Sequence, residues 1–125
     1  MKKIILVCFG VATLVACNNG DKKDEKKSSA TADLSQNPDY QKGLALVAEN
    51  KCLTCHAVDE TITGPPYREV AKKYADSGDT IVAHLAGKII NGGNGVWGEI
   101  FMTPHPGVSE ADAEAMVKYI LLLKK

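Results

Sequence analysis

Cys52, Leu53, Thr54, Cys55 and His56 place two thiols three residues apart with an imidazole directly behind them. This cluster limits the fold more than any other feature, because a group held by three such side chains has to be housed by the protein around it. What the cluster can hold depends on the surrounding segment, its compartment and its secondary structure.

The compartment is read from the N-terminus. Lys2 and Lys3 precede an apolar run from Ile4 to Val15, the pattern of a secretory signal and too short for a permanent membrane span. The run ends in Leu14–Val–Ala–Cys17, which resembles the lipobox of bacterial lipoproteins. That resemblance implies cleavage before Cys17 and a diacylglycerol on its thiol; the alternative is an ordinary secretory peptide cut elsewhere. Residues 1–16 are then a lipoprotein signal peptide, discarded together with Cys8.

Residues 17–37 follow as a lipid-anchored flexible linker. They alternate Lys with Asp and Glu, carry Leu34 as their single large aliphatic, and cannot bury enough apolar surface to offset the entropy of ordering. A coil of this length spans about 25 Å, so a domain on it samples the space just above a membrane.

Residues 38–125 form one small domain, of a size at which a side-chain core alone is marginal. Four helices are predicted. Asn37 and Pro38 cap and start the first, with Tyr40, Gly43, Leu44, Val47 and Ala48 at helical spacing and an end near Asn50. Tyr67, Val70, Ala71 and Tyr74 mark a short second. Asp79 caps a third that carries Ile81, Leu85 and Ile89 and stops at Asn91–Gly93. Ser109 and Asp112 make a capping box for the fourth, which buries Ala113, Met116, Val117, Ile120 and Leu121 and ends on Lys124 and Lys125. Gly93, Gly95, Gly98 and Pro104 exclude a helix between Gly92 and Gly107, so that stretch is predicted to be a loop. No period-two strand pattern is visible, and the fold class is all-α.

This setting separates the readings of the cluster. A zinc site needs four ligands, and beyond Cys52 and Cys55 residues 38–125 offer as thiol or imidazole ligands only the scattered His56, His84 and His105. A thioredoxin-like dithiol needs a βαβ unit, which has no strands here. Haem attachment accounts for the spacing: the two thiols add to the two vinyl groups, and the next residue carries its imidazole under the ring, which makes His56 the proximal ligand. Met102, between Phe101 and the prolines 104 and 106, is the candidate for the second axial position. His105, three residues on, competes with it, whereas Met116 is read as core and His84 as a partly exposed helical residue.

The ordered set of Cys52–His56, Thr63–Tyr67 (TGPPY), Asn94–Gly98 (NGVWG), Met102 and the closing helix resembles a small bacterial class I cytochrome c across the whole of residues 38–125. The resemblance implies about four helices wrapped around one haem c, covalently attached through Cys52 and Cys55 and ligated by His56 and Met102. It also implies that the Pro65 carbonyl accepts a hydrogen bond from His56, that Trp97 lies beside a haem propionate, and that Gly43 and Tyr119 form the crossing of the first and last helices. The chain departs from relatives at His105, where they often carry asparagine, and in one extra residue before Ser109.

The function implied is that of a one-electron carrier in a respiratory chain and not an enzyme, shuttling between a quinol-oxidising complex and a terminal oxidase or reductase. A haem-based gas sensor or small peroxidase with an open axial site is the alternative. The chain is expected to be exported, anchored through Cys17 on the periplasmic or cell-surface side of a bacterial membrane, and monomeric. Zero formal net charge over the chain argues against a nucleic-acid partner. In residues 38–125, nine Lys and Arg face eleven Asp and Glu, which leaves no strong basic field for long-range steering. Lys51, Arg68, Lys72 and Lys73 are read as a solvated face in preference to a local basic patch.

Overall fold

The computed structural model describes residues 34–124. The expected signal peptide, the expected lipidation site Cys17, the expected linker up to residue 33 and Lys125 lie outside the described residues.

Helix α1 spans Pro38–Glu49. The Asn37 side chain accepts from the amides of Asp39 (2.9 Å) and Tyr40 (3.2 Å), while proline at the first position has no amide left to satisfy. The helix ends at Asn50, and Lys51 follows in the left-handed region at φ 57°. A single turn of 3-10 helix, Cys52–Thr54, comes next. Helix α2 is Tyr67–Lys73, α3 is Thr80–Asn91 and α4 is Glu110–Leu122.

The core forms where α4 packs across the other three helices, with its greatest contact against α1. Val47, Tyr67, Ala86, Ile89, Met116, Val117, Tyr119 and Ile120 are buried in it. Gly43 makes the α1–α4 crossing possible: a Cβ there would collide with the Cβ of Tyr119 and the carbonyl of Ala115. The Tyr40 and Tyr119 rings meet edge to face beside it, with centroids 5.1 Å apart.

Three expectations are corrected. The glycine-rich stretch is not all loop, because β1 (Gly93–Gly95) and β2 (Gly98–Met102) pair antiparallel about a turn at Val96 and Trp97. The glycines that exclude a helix suit this hairpin: Gly95 and Gly98 lie at φ 105° and 107°, where a side chain would be strained. Asp79 stands before α3, yet its side chain caps nothing and its backbone is already helical. On α1, Ala48 is exposed and Leu44 partly so, while Leu46 packs toward the core; the buried line runs through Gly43 and Val47. Ser109 does cap α4 by accepting from the Asp112 amide, although Asp112 takes the Ser109 hydroxyl (2.7 Å) and not its amide.

Candidate functional site

The left-handed Lys51 turns the chain sharply off α1 and into the cysteine cluster. Cys55 and His56 then donate their amides to the Cys52 carbonyl at 3.2 and 3.0 Å, which folds Cys52, Cys55 and His56 onto one turn. The loop beyond returns on the same turn: Thr63 and Gly64 both donate to the Cys55 carbonyl (3.1 and 2.8 Å). Tyr67 and Arg68 donate to Ala57 and Val58 (2.9 and 3.0 Å). Both cysteines are free thiols, Cys52 half-buried and Cys55 exposed.

His56 Nδ1 lies 2.8 Å from the Pro65 carbonyl. A carbonyl only accepts, so Nδ1 carries a proton, and in the neutral ring Nε2 is then the nitrogen with the lone pair, the tautomer a metal ligand needs. Two neighbours fix the ring further. Tyr67 stacks on it, with centroids 5.1 Å apart and planes 18° from parallel. A Cβ on Gly64 would come within 2.8 Å of Nδ1 and 2.9 Å of Nε2, so only glycine leaves room for the imidazole. The roles of Gly64 and Tyr67 were not legible beforehand; their presence in TGPPY was the one available signal.

The Tyr67 phenol and the Cys52 thiol influence one another's ionisation. Burial pushes the Cys52 thiol above its ordinary pKa, and hydrogen bonding from the backbone, then the neighbouring Tyr67 phenol, offset part of that rise. Tyr67 itself is pushed well above the usual tyrosine range, first by burial and then by the charge Cys52 would carry. In their unmodified form this thiol and this phenol are neutral.

Met102 lies on the second segment of the candidate site. It ends β2, paired with Gly93, and packs half-buried against the core, whereas a loop position clear of the helices was expected. The end of α3 secures the strap that follows, since the His105 amide donates to the carbonyls of Ile89 (3.1 Å) and Ile90 (3.2 Å). Gly92, at φ 71°, lies so close to the Met102 carbonyl that a Cβ would collide with it and crowd Pro104. His105 is half-buried and His84 exposed. Trp97 sits at the hairpin turn, 43% exposed, with Lys73 Nζ 5.6 Å from its ring centroid. It is therefore not a core aromatic.

Three of the four basic residues near the cluster are engaged with neighbours, and Lys51 is exposed. Arg68 pairs with Asp59, Lys72 with Glu69 at 2.8 Å, and Lys73 lies over Trp97.

The donor set fits a covalently held haem: two free thiols on one turn, an imidazole whose Nε2 is the free nitrogen, and a thioether on a strap anchored independently. The large exposed apolar side chains are distributed to match. Among the described residues, apart from Leu44, they lie in the cluster and its loop (Leu53, Ile62) or in the hairpin (Val96, Trp97, Ile100, Phe101). Exposed apolar side chains on the two segments that carry the donors suit an apolar group bound between them.

Comparison with known proteins agrees. The family model for cytochrome c matches residues 40–124. Cytochrome c-552 of Nitrosomonas europaea is 47% identical over 79 residues, covering 63% of this chain and 76% of the relative. Cytochrome c-551 of Azotobacter vinelandii is 43% identical over 82 residues, 66% of this chain and 98% of the relative. The crystal structure of the Nitrosomonas europaea cytochrome superposes with a TM-score of 0.61 at 46% identity, covering 65% of this chain and 99% of that one. A class 1 cytochrome from Sideroxydans lithotrophicus gives 0.57 at 28% identity, covering 68% and 96%. With its helices around a CxxCH turn and its small antiparallel sheet, the chain belongs to the cytochrome c family of electron carriers, which are not enzymes and which bind one covalent haem c through that motif.

Proposed function

We propose that this chain is a single-haem, class I electron carrier of a bacterial respiratory chain, with His56 and Met102 as its axial ligands. The hydrogen bond from His56 Nδ1 to Pro65 carries the reading, because it leaves Nε2 as the ring's only free donor. Cys52 and Cys55 hold the haem through thioethers. The bound haem supplies a one-electron couple at its iron, and thioether ligation favours the reduced state relative to a second imidazole.

The chain's own residues keep that couple simple. Pro65, Gly64 and Tyr67 hold the imidazole still, and the hairpin pairing, Gly92 and the His105 amide bonds separately hold the Met102 strap. Two ligands fixed independently to the scaffold stay in place in both oxidation states, which limits rearrangement as an electron moves. The exposed Trp97, steadied by Lys73, is assigned to the neighbourhood of a haem propionate.

The carrier works between a quinol-oxidising complex and a terminal oxidase or reductase, on the periplasmic or cell-surface side. Lacking a strong basic field, it depends on its tether: a diacylglycerol at Cys17 and the linker raise its effective concentration near membrane-bound partners. Two experiments test this. Redox titration of the haem-loaded protein should give a single one-electron transition, lowered by on the order of 0.1 V in Met102→His, within the roughly 0.8 V that axial ligands span; an unchanged potential would remove Met102 from the iron. Cys17→Ala should release the protein from membranes and slow electron delivery, and equal turnover by the soluble form would remove the anchor from the account.

A further inference from the structure

Arg68 is withdrawn from solvent where its basic neighbours are not: its side chain is 16% exposed, against 51% for Lys72. It makes bonds in two directions. Nε and Nη2 reach the two carboxylate oxygens of Asp59 at 2.5 and 3.4 Å, and Nη1 donates to the Leu123 carbonyl at 2.6 Å. Its own amide donates to Val58, next to the Tyr67 amide on Ala57.

Ala57, Val58 and Asp59 are the three residues that leave His56. Leu123 is the buried residue that caps the C-terminus of α4, and its carbonyl is among those a helix end cannot satisfy internally. A guanidinium has donors enough, on a planar fork, to serve that carbonyl and a carboxylate together, whereas an ammonium has one nitrogen. Asp59 is 63% exposed, so the ion pair itself contributes little. The charged bond to the Leu123 carbonyl is the stronger arm.

We infer that Arg68 is a positioning residue for His56: it ties the backbone leaving the imidazole to the end of α4, so that ring orientation depends on the last helix. Pro65 holds the ring by its nitrogen, and Arg68 holds the chain on which the ring is carried. The inference rests on reading His56 as a haem ligand.

The test compares haem-loaded wild type, Arg68→Gln, Arg68→Lys and Asp59→Asn by NMR in the reduced form. In the wild type the haem ring current displaces the His56 ring protons far from their usual positions. Arg68→Gln is expected to shift and broaden those resonances and to speed amide exchange at Tyr67 and at position 68 about tenfold relative to buried amides of α4. Arg68→Lys retains the charge and restores the resonances only in part, and Asp59→Asn stays close to wild type. If Arg68→Gln fails to load haem, Arg68→Lys carries the same comparison. Faster exchange spread evenly over all helices, with unmoved His56 resonances, would reduce Arg68 to a general stabiliser and overturn the inference. A wild type without a haem-displaced histidine would instead sink the ligand assignment, while loop exchange still judged the brace.

Discussion

Gly43→Ala is expected to destabilise the domain although alanine is the better helix former. The Cβ it adds falls on the Cβ of Tyr119 and the carbonyl oxygen of Ala115, and 3.3 Å from that carbonyl's carbon. None of these atoms can rotate away, so α1 and α4 must part by on the order of 1 Å to recover ordinary contact, a gap that forfeits roughly a quarter to a half of each facing dispersion contact. Overpacking and lost contact at such a site cost about 3 kcal/mol, and the helix propensity of alanine returns about 1 kcal/mol, leaving a net loss of about 2 kcal/mol. For a domain of this size the melting temperature falls by about 8–16 °C. Gly87→Ala is the matched control. Its Cβ, inside α3, meets nothing within 4 Å, so the propensity gain of about 0.5–1 kcal/mol is unopposed and the sign reverses. The assay is urea unfolding of the haem-loaded protein by far-ultraviolet circular dichroism, at unchanged denaturant slope. A Gly43→Ala protein as stable as wild type, or more so, would refute the close-crossing argument.

The site itself yields two further predictions. Gly64→Ala places a methyl against the imidazole and pushes the ring off its bond to Pro65, for an expected loss of about 1–3 kcal/mol by the same unfolding assay; wild-type stability would mean that the ring has room to move. Lys51→Gly relieves a left-handed non-glycine residue at the end of α1 and should gain about 1 kcal/mol, with no gain showing that the turn carries no strain.

The helices were legible where a signal is local. Asn37 with Pro38, and Ser109 with Asp112, specify helix starts within four residues, and Cys52–His56 forms one turn whose side chains necessarily share a place. The hairpin was not legible, because Gly98–Met102 places Glu, Ile and Phe without alternation and both of its faces are exposed. Its signal is backbone conformation at Gly95 and Gly98, which leaves no trace in hydrophobic periodicity. Asp79 was misread for a related reason: a good capping residue type does not cap when the backbone beneath it is already helical.

The support around His56 was hidden by distance along the chain. Pro65 lies nine residues from His56, and Arg68 lies 55 from Leu123. The Pro65 contact was expected from family resemblance alone. Nothing in the sequence distinguished Arg68, which bridges two elements, from Lys72, which pairs with Glu69 on its own helix. Such contacts depend on the packed fold.

The central claim is that His56 and Met102 fill both axial positions. Its most direct test is the absorption spectrum of the reduced, haem-loaded protein before and after carbon monoxide, with Met102→Ala alongside. The account predicts a c-type spectrum that carbon monoxide leaves unchanged in the wild type and alters readily in Met102→Ala. A wild type that binds carbon monoxide as readily as the variant would contradict it, because the second axial position would then be open.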